Sequence, residues 1–241
     1  MTVVDFPTRL RRGKKQIPPL ENGDRLDQPT FHERYEAMPP ETRAELIEGI
    51  VYMTPPIGED HSREHGLLII WLAWYVGGTP GLDLYPTPTV ILGPDSEPEP
   101  DVVLRLPGGR TTVVRRKRTT YISGPPEFVA EAASSSESID LNQKRDEYER
   151  SGVGEYLAFL TRTRSLAWFV RETGSFVKLK LDKDGFLKSR AFPGLWLDPA
   201  ALLRGDTPGM QKALNLGLAT AEHSAFVEAL ARKKGNGRKR K

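Results

Sequence analysis

The sequence predicts an α/β (α+β) layered domain, a mixed central sheet flanked by helices. Three observations carry that prediction. Short runs rich in Val, Ile, Phe and Tyr are bounded by Pro and Gly, as strands are. Between them lie stretches with helical apolar spacing, the clearest being Leu67, Leu68, Trp71, Leu72 and Tyr75. The chain has 241 residues, 38% of them hydrophobic and 28% charged, enough for one substantial core.

Taken in order, residues 1–29 are Pro-rich and charged without apolar period, and are expected to form an unstructured arm. A short helix follows over Thr30–Met38, stopped by Pro39-Pro40. The run Glu45–Met53 reads as one strand ended by Pro55-Pro56. Asp60 is the expected N-cap of a helix reaching Val76, with Gly77–Gly81 closing it. Strands are expected over Thr87–Leu92 and Asp101–Leu106, with a turn at Gly93–Ser96 between them. Gly108–Thr120 reads as a charged hairpin, and Pro125-Pro126 opens a strand over Glu127–Glu131. A Ser-rich turn leads to a helix over Ile139–Ser151, closed by Gly152. Glu155–Leu160, Leu166–Arg171 and Phe176–Leu181 read as strands. Leu195–Leu203 adds a short strand and turn, and a last helix runs near Ala219–Ala231. The chain thus divides into the arm (1–29), a single domain (30–205), a helical extension (206–231) and a disordered basic tail (232–241).

Composition removes several function classes. With no cysteine there is no disulfide framework and no thiolate metal site. The first residues lack the apolar run of an export signal, and Gly66–Val76 is too short to span a bilayer, so a cytoplasmic protein without membrane association is expected. Trp71, Trp74 and Tyr75 are read as core, and Trp168 and Trp196 as sheet packing. No Gly-rich phosphate loop is present, since Gly93-Pro94 and Gly108-Gly109 are turn chemistry, so no organic cofactor is expected. The net charge of +3 conceals an asymmetry: seven basic residues lie in the last ten, and the rest carries 28 basic against 32 acidic residues. A generally basic nucleic-acid coat is therefore excluded, and polyanion contact falls to local patches. These are Arg9–Lys15, the tail, and Arg115, Arg116, Lys117 and Arg118 on the hairpin, which would bind phosphate in a salt-dependent way. A solvated basic tail explains the same composition without any ligand.

Acids inside apolar strand runs need a reason, because an unpaired buried carboxylate is costly. Asp101 begins Asp-Val-Val-Leu, Glu131 sits within Phe-Val-Ala-Glu-Ala-Ala, and Glu45 and Glu48 bracket Leu-Ile. Two strand-borne carboxylates meeting at a sheet edge make a hard oxygen site for Mg²⁺ or Mn²⁺. A lysine beside them can orient or deprotonate water and stabilise developing charge. Lys144, on the helix after Glu131, is the candidate. Pairing with arginines or exposure at strand ends would explain the acids equally well.

These residues also carry a resemblance. Glu45-Leu-Ile-Glu-Gly49, Glu97-Pro-Glu-Pro-Asp101 and Pro126-Glu-Phe-Val-Ala-Glu131 are followed by Asp140-Leu-Asn-Gln-Lys144, Tyr148–Tyr156 and Phe192-Pro-Gly-Leu-Trp-Leu-Asp198. In that order they resemble the Uma-type endonucleases, a branch of the PD-(D/E)XK restriction-endonuclease-like superfamily, from about Phe31 to Leu230. The resemblance implies a restriction-endonuclease-like core over residues 30–205, with Asp101 and Glu131 as metal ligands and Lys144 as the catalytic lysine. Glu45, with Glu48 as its competitor, would be the accessory acid. It also implies DNA as substrate and Mg²⁺ or Mn²⁺ as cofactor. Pro100-Asp101 fits the first half of the signature. The second half is broken, since Ala133 stands where a lysine would follow Glu131, and the family's lysine falls instead on the next helix. A homodimer would suit the cutting of two strands.

Two rival readings remain. A protein that keeps the fold but has lost catalysis would bind nucleic acid through the same basic segments. His61-Ser-Arg-Glu64-His65 is a literal H-x-x-E-H, a zinc-protease pattern. Five residues recur by chance, and that class uses larger domains, so His61 is placed at a helix start or at the rim of the active site. The Ser134–Ser136 run shapes the turn before the helix.

Overall fold

The computed structural model describes residues 17–54, 58–117, 119–133 and 139–238. The first of these, read above as unstructured, are in fact packed. Leu20 is buried with Phe31 and Leu46, Gly23 and Leu26 donate backbone N–H groups to Val51 and Gly49, and Arg25 bridges Ile50. Leucine burial and backbone hydrogen bonds to the following hairpin hold the segment without any periodicity. Helix α1 (Gln28–Tyr35) then opens on Asp27, whose side chain caps the Thr30 N–H, with Pro29 in its first turn.

The run expected to be one strand is a hairpin, β1 (Ala44–Ile47) and β2 (Ile50–Met53). Glu48 (φ 51°) and Gly49 (φ 75°) both take the left-handed region, as a two-residue turn matched to strand twist requires. Helix α2 (Glu59–Gly78) starts from Gly58 rather than Asp60, without a side-chain cap. Next come β3 (Asp83–Pro86), which the sequence reading missed, then β4 (Val90–Ile91), β5 (Val102–Arg105) and the hairpin β6 (Thr112–Arg116) and β7 (Thr119–Ser123). Strand β8 (Phe128–Ala133) leads, beyond 134–138, into a π-helical segment (Ile139–Lys144) continuous with α3 (Arg145–Ser151). Gly152, at φ 89°, ends that helix in the left-handed conformation glycine favours. The chain continues through β9 (Glu155–Leu160), β10 (Ser165–Glu172), β11 (Ser175–Lys178), β12 (Leu187–Lys188) and β13 (Trp196–Leu197). It ends in α4 (Pro199–Arg204), α5 (Thr207–Leu218) and α6 (Ala221–Arg238). Helix α6 thus runs through most of the segment expected to be a disordered tail.

The central sheet has the order β11-β10-β9-β8-β5-β3 and is mixed: β8 and β9 are parallel, and the other neighbours antiparallel. Strands β8 and β9 are buried along their whole length, which explains their nearly unbroken apolar runs. One face packs on α2 and the C-terminal helices through Trp71, Phe128, Trp168, Phe192 and Leu214. The other carries Val103, Val129, Tyr156 and Ala158, packed with Tyr148 of α3 and with Val90 and Ile122 of the small sheet β4-β7-β6. The expected α/β architecture, a mixed sheet flanked by helices, is the one found. Among the described residues no helix is long and apolar enough to cross a membrane.

Candidate active site

The site lies where β5 and β8 meet. Their register pairs Val102 with Ala130, so one step further sets Asp101 opposite Glu131. The two acids are tied reciprocally. The Asp101 N–H donates to Glu131 Oε2 at 3.1 Å, and the Ala132 N–H donates to Asp101 Oδ2 at 2.7 Å. Each carboxylate therefore accepts a backbone donor from the other's strand. Both are buried, at 7% and 3% exposure, so hydrogen bonding of this kind is what makes their position tenable.

Lys144 joins them from the end of the π-helical segment, 7% exposed. Its Nζ lies 3.0 Å from Glu131 Oε1 and 3.0 Å from Glu45 Oε2. The Tyr148 hydroxyl also donates to Glu131 Oε1, at 2.8 Å, and burial pushes that phenol well above its ordinary range. The Tyr52 hydroxyl of β2 donates to Gln143 Oε1 at 2.8 Å, which pins the π-helical segment beside the lysine. Glu45 comes from β1 and accepts the Glu99 N–H at 2.8 Å on its other oxygen. Strand β1 is held there because Leu46 and Glu97 exchange backbone hydrogen bonds, and the fully buried Glu97 accepts from Gln28 and faces His32 Nδ1 at 2.7 Å. Glu48 lies exposed in the β1–β2 turn, away from this cluster.

Helix α2 closes the other side. His61 Nε2 lies 3.3 Å from Asp101 Oδ1, and His65 Nε2 lies 2.9 Å from the Asp101 carbonyl oxygen. Burial alone would raise the Asp101 carboxyl. The His61 hydrogen bond and charge, the Ala132 N–H and the charge of His65 outweigh it and hold the group below its ordinary range. His61 is raised in turn, chiefly by its hydrogen bond to Asp101. Glu64, which a protease of the H-x-x-E-H class needs as a base in an open cleft, is buried. His61 lies in the first turn of α2, beside Asp101. The link to Asp101 was not visible in sequence, because the partners lie 36 to 40 residues apart on different elements.

Not every buried acid belongs to this constellation. Glu155 of β9 accepts from Trp168 Nε1, Ser189 Oγ and the backbone N–H groups of Arg190 and Ala191, all within 3.0 Å. Burial raises its carboxyl. These donors are neutral, and the group ties the β12–β13 segment to the sheet. Arg115, Arg116 and Lys117 are exposed on the β6–β7 hairpin, where Lys117 pairs with Glu36 of the α1 end. Arg118 lies outside the described residues, as do Ser134–Ser136.

The mixed sheet thus carries acids at the ends of adjacent strands and a lysine on the following helix. The fold matches the crystal structure of a "putative nuclease belonging to DUF820" from Anabaena variabilis with a TM-score of 0.54 at 14% identity, over 71% of this chain and 96% of that one. The profile of the Uma2 family, described as "Putative restriction endonuclease", matches residues 30–200, and the chain belongs to that family. No curated protein matches it.

Proposed function

We propose that the chain is a divalent-metal-dependent endonuclease that hydrolyses phosphodiester bonds in DNA. The observation that carries the reading is the convergence of Asp101, Glu131, Glu45 and the Lys144 ammonium at one end of the β5–β8 pair. The donor set suits a hard cation: buried carboxylates, with no sulfur in the chain beyond methionine. Asp101 and Glu131 would hold Mg²⁺ or Mn²⁺, with Glu45 assisting. When bound, the ion makes water a competent nucleophile near neutral pH and offsets phosphate charge.

The chain's own groups supply the rest. Lys144, ion-paired to two carboxylates, acts as a fixed ammonium that orients water and stabilises charge on the phosphate oxygens. The Ala132 N–H fixes one Asp101 oxygen, and the Asp101 N–H and Tyr148 fix one Glu131 oxygen each, so both carboxylates are held in place as charge develops. Water oxygen forms the new bond to phosphorus, one P–O ester bond breaks, and the leaving oxygen takes up a proton. Arg115, Arg116 and Lys117 supply sequence-independent backbone contact.

The test is cleavage of supercoiled plasmid with Mg²⁺ or Mn²⁺ by wild type, Asp101→Ala and Lys144→Met. Nicking by wild type, lost in both variants, is expected. Equal nicking by wild type and Asp101→Ala would place the activity elsewhere. Retained DNA binding without cleavage by any of the three would favour a binding protein that keeps the nuclease fold.

A further inference from the structure

The metal reading above draws on oxygen ligands, yet the side chains of α2 add nitrogen. His61 and His65 are four residues apart in the first turns of α2, so they share a face, and their ring centroids lie 6.0 Å apart. One ligand atom from each of His61, His65 and Asp101 lies within 4.8 Å of the other two. Three ligands spread evenly around one ion with bonds of about 2.1 Å lie about 3.6 Å apart, so the three side chains would draw together by up to about 1 Å to share one centre. The neighbouring cations are already engaged. Arg43 pairs with Glu99 at 3.6 Å, and Lys144 is held between Glu131 and Glu45. Glu131 is drawn toward Lys144 and Tyr148, whereas Asp101 is the acid that faces the imidazoles.

We propose that His61 and His65 complete, with Asp101, a mixed nitrogen–oxygen site that takes Mn²⁺ or a heavier first-row ion in preference to Mg²⁺. Imidazole binds such ions readily, whereas Mg²⁺ favours oxygen and keeps its waters. The same set explains why an H-x-x-E-H sequence occurs in a nuclease-family chain. Its two histidines form one wall of the site, and a strand aspartate supplies the third ligand. The proposal rests on Asp101 being a metal ligand, as in the preceding section, and assigns the preference among ions to α2.

The experiment is Mn²⁺ titration of the full chain, read as loss of the free-ion electron paramagnetic resonance signal. Pulsed measurement of ¹⁴N coupling on the bound ion accompanies it. Wild type is expected to bind Mn²⁺ with imidazole nitrogen coupling, and an equal concentration of Mg²⁺ should not displace it. His61→Leu and His65→Leu should each weaken Mn²⁺ binding at least about tenfold and reduce the coupling. The wild-type spectrum requires no variant, so a poorly folding substitution does not decide the matter. Bound Mn²⁺ without nitrogen coupling, lost in Asp101→Asn, overturns the histidine assignment and leaves the nuclease reading standing. Mn²⁺ binding that survives Asp101→Asn unchanged overturns both.

Discussion

Replacing Lys144 with methionine tests the electrostatic core of the site apart from its chemistry. The ammonium lies 3.0 Å from two carboxylates, with side-chain exposures of 9% for the lysine, 4% for Glu131 and 11% for Glu45. At an effective dielectric near 20, each contact is a gross attraction of about 5–6 kcal/mol. Most of that offsets desolvation of three charges. The measurable quantity is the penalty of leaving two buried carboxylates without their shared cation, roughly 3–5 kcal/mol. Urea unfolding at neutral pH, followed by the fluorescence of the buried Trp71 and Trp168, should show a loss of that size. Neutralising the acids as well, in Glu45→Gln/Glu131→Gln/Lys144→Met, should recover most of it, since an uncharged buried cluster carries no such penalty. Cleavage should be absent from both variants. A loss below about 1 kcal/mol for Lys144→Met, the scale of an exposed pair, would refute this reasoning. So would a triple variant no more stable than the single one.

Other predictions follow from the geometry. Glu48→Asn should stabilise the β1–β2 turn by about 0.5–1 kcal/mol, because asparagine tolerates the left-handed conformation found there. It should leave cleavage unchanged, whereas Glu45→Gln should reduce it, and parallel plasmid assays separate the two acids. His32 is raised, first by its hydrogen bond with Glu97, with burial opposing and the charges of Glu97 and Glu36 assisting. Its stabilising contribution is therefore full below the ordinary imidazole value of about 6.5 and is lost as pH rises through the elevated native value. His32→Gln should flatten the stability profile in that window, and denaturant melts across neutral pH would show it. Replacing Arg115, Arg116 and Lys117 by alanine should weaken DNA binding and lower the slope of log affinity against log salt by up to about 0.9 per lost phosphate contact. An unchanged slope in fluorescence anisotropy would remove the hairpin from the interface.

The elements that were legible in the sequence are those whose pattern is strong and local. Strands β5, β8 and β9 and helix α2 announce themselves by apolar runs or helical spacing, and the acids that interrupt the strand runs could be picked out one by one. What was not legible depends on single backbone angles or distant partners. Glu48-Gly49 lacks the Asn-Gly signature of a tight turn, so one strand was read where a hairpin forms. Strand β3 contains Asp83 and ends on Pro86, both poor strand residues, and forms because β5 offers it an edge. Residues 17–27 are held by burial of Leu20 and by hydrogen bonds to β2, which no periodicity records. Within the candidate site, Tyr148 lay inside a quoted motif but gave no sign that its hydroxyl would meet Glu131. His65 was read only as half of a short pattern.

The crossed contacts between Asp101 and Glu131 have a meaning for how such a chain could change over time. These side chains stitch the end of the β5–β8 ladder, supplying acceptors for N–H groups that would otherwise face the interior unmet. A chain of this fold without nuclease activity would still use both acids to pair the N–H groups at this end of the ladder. Their persistence in any one relative is therefore a record of architecture first, and only a turnover measurement can show whether the chemistry has persisted with it.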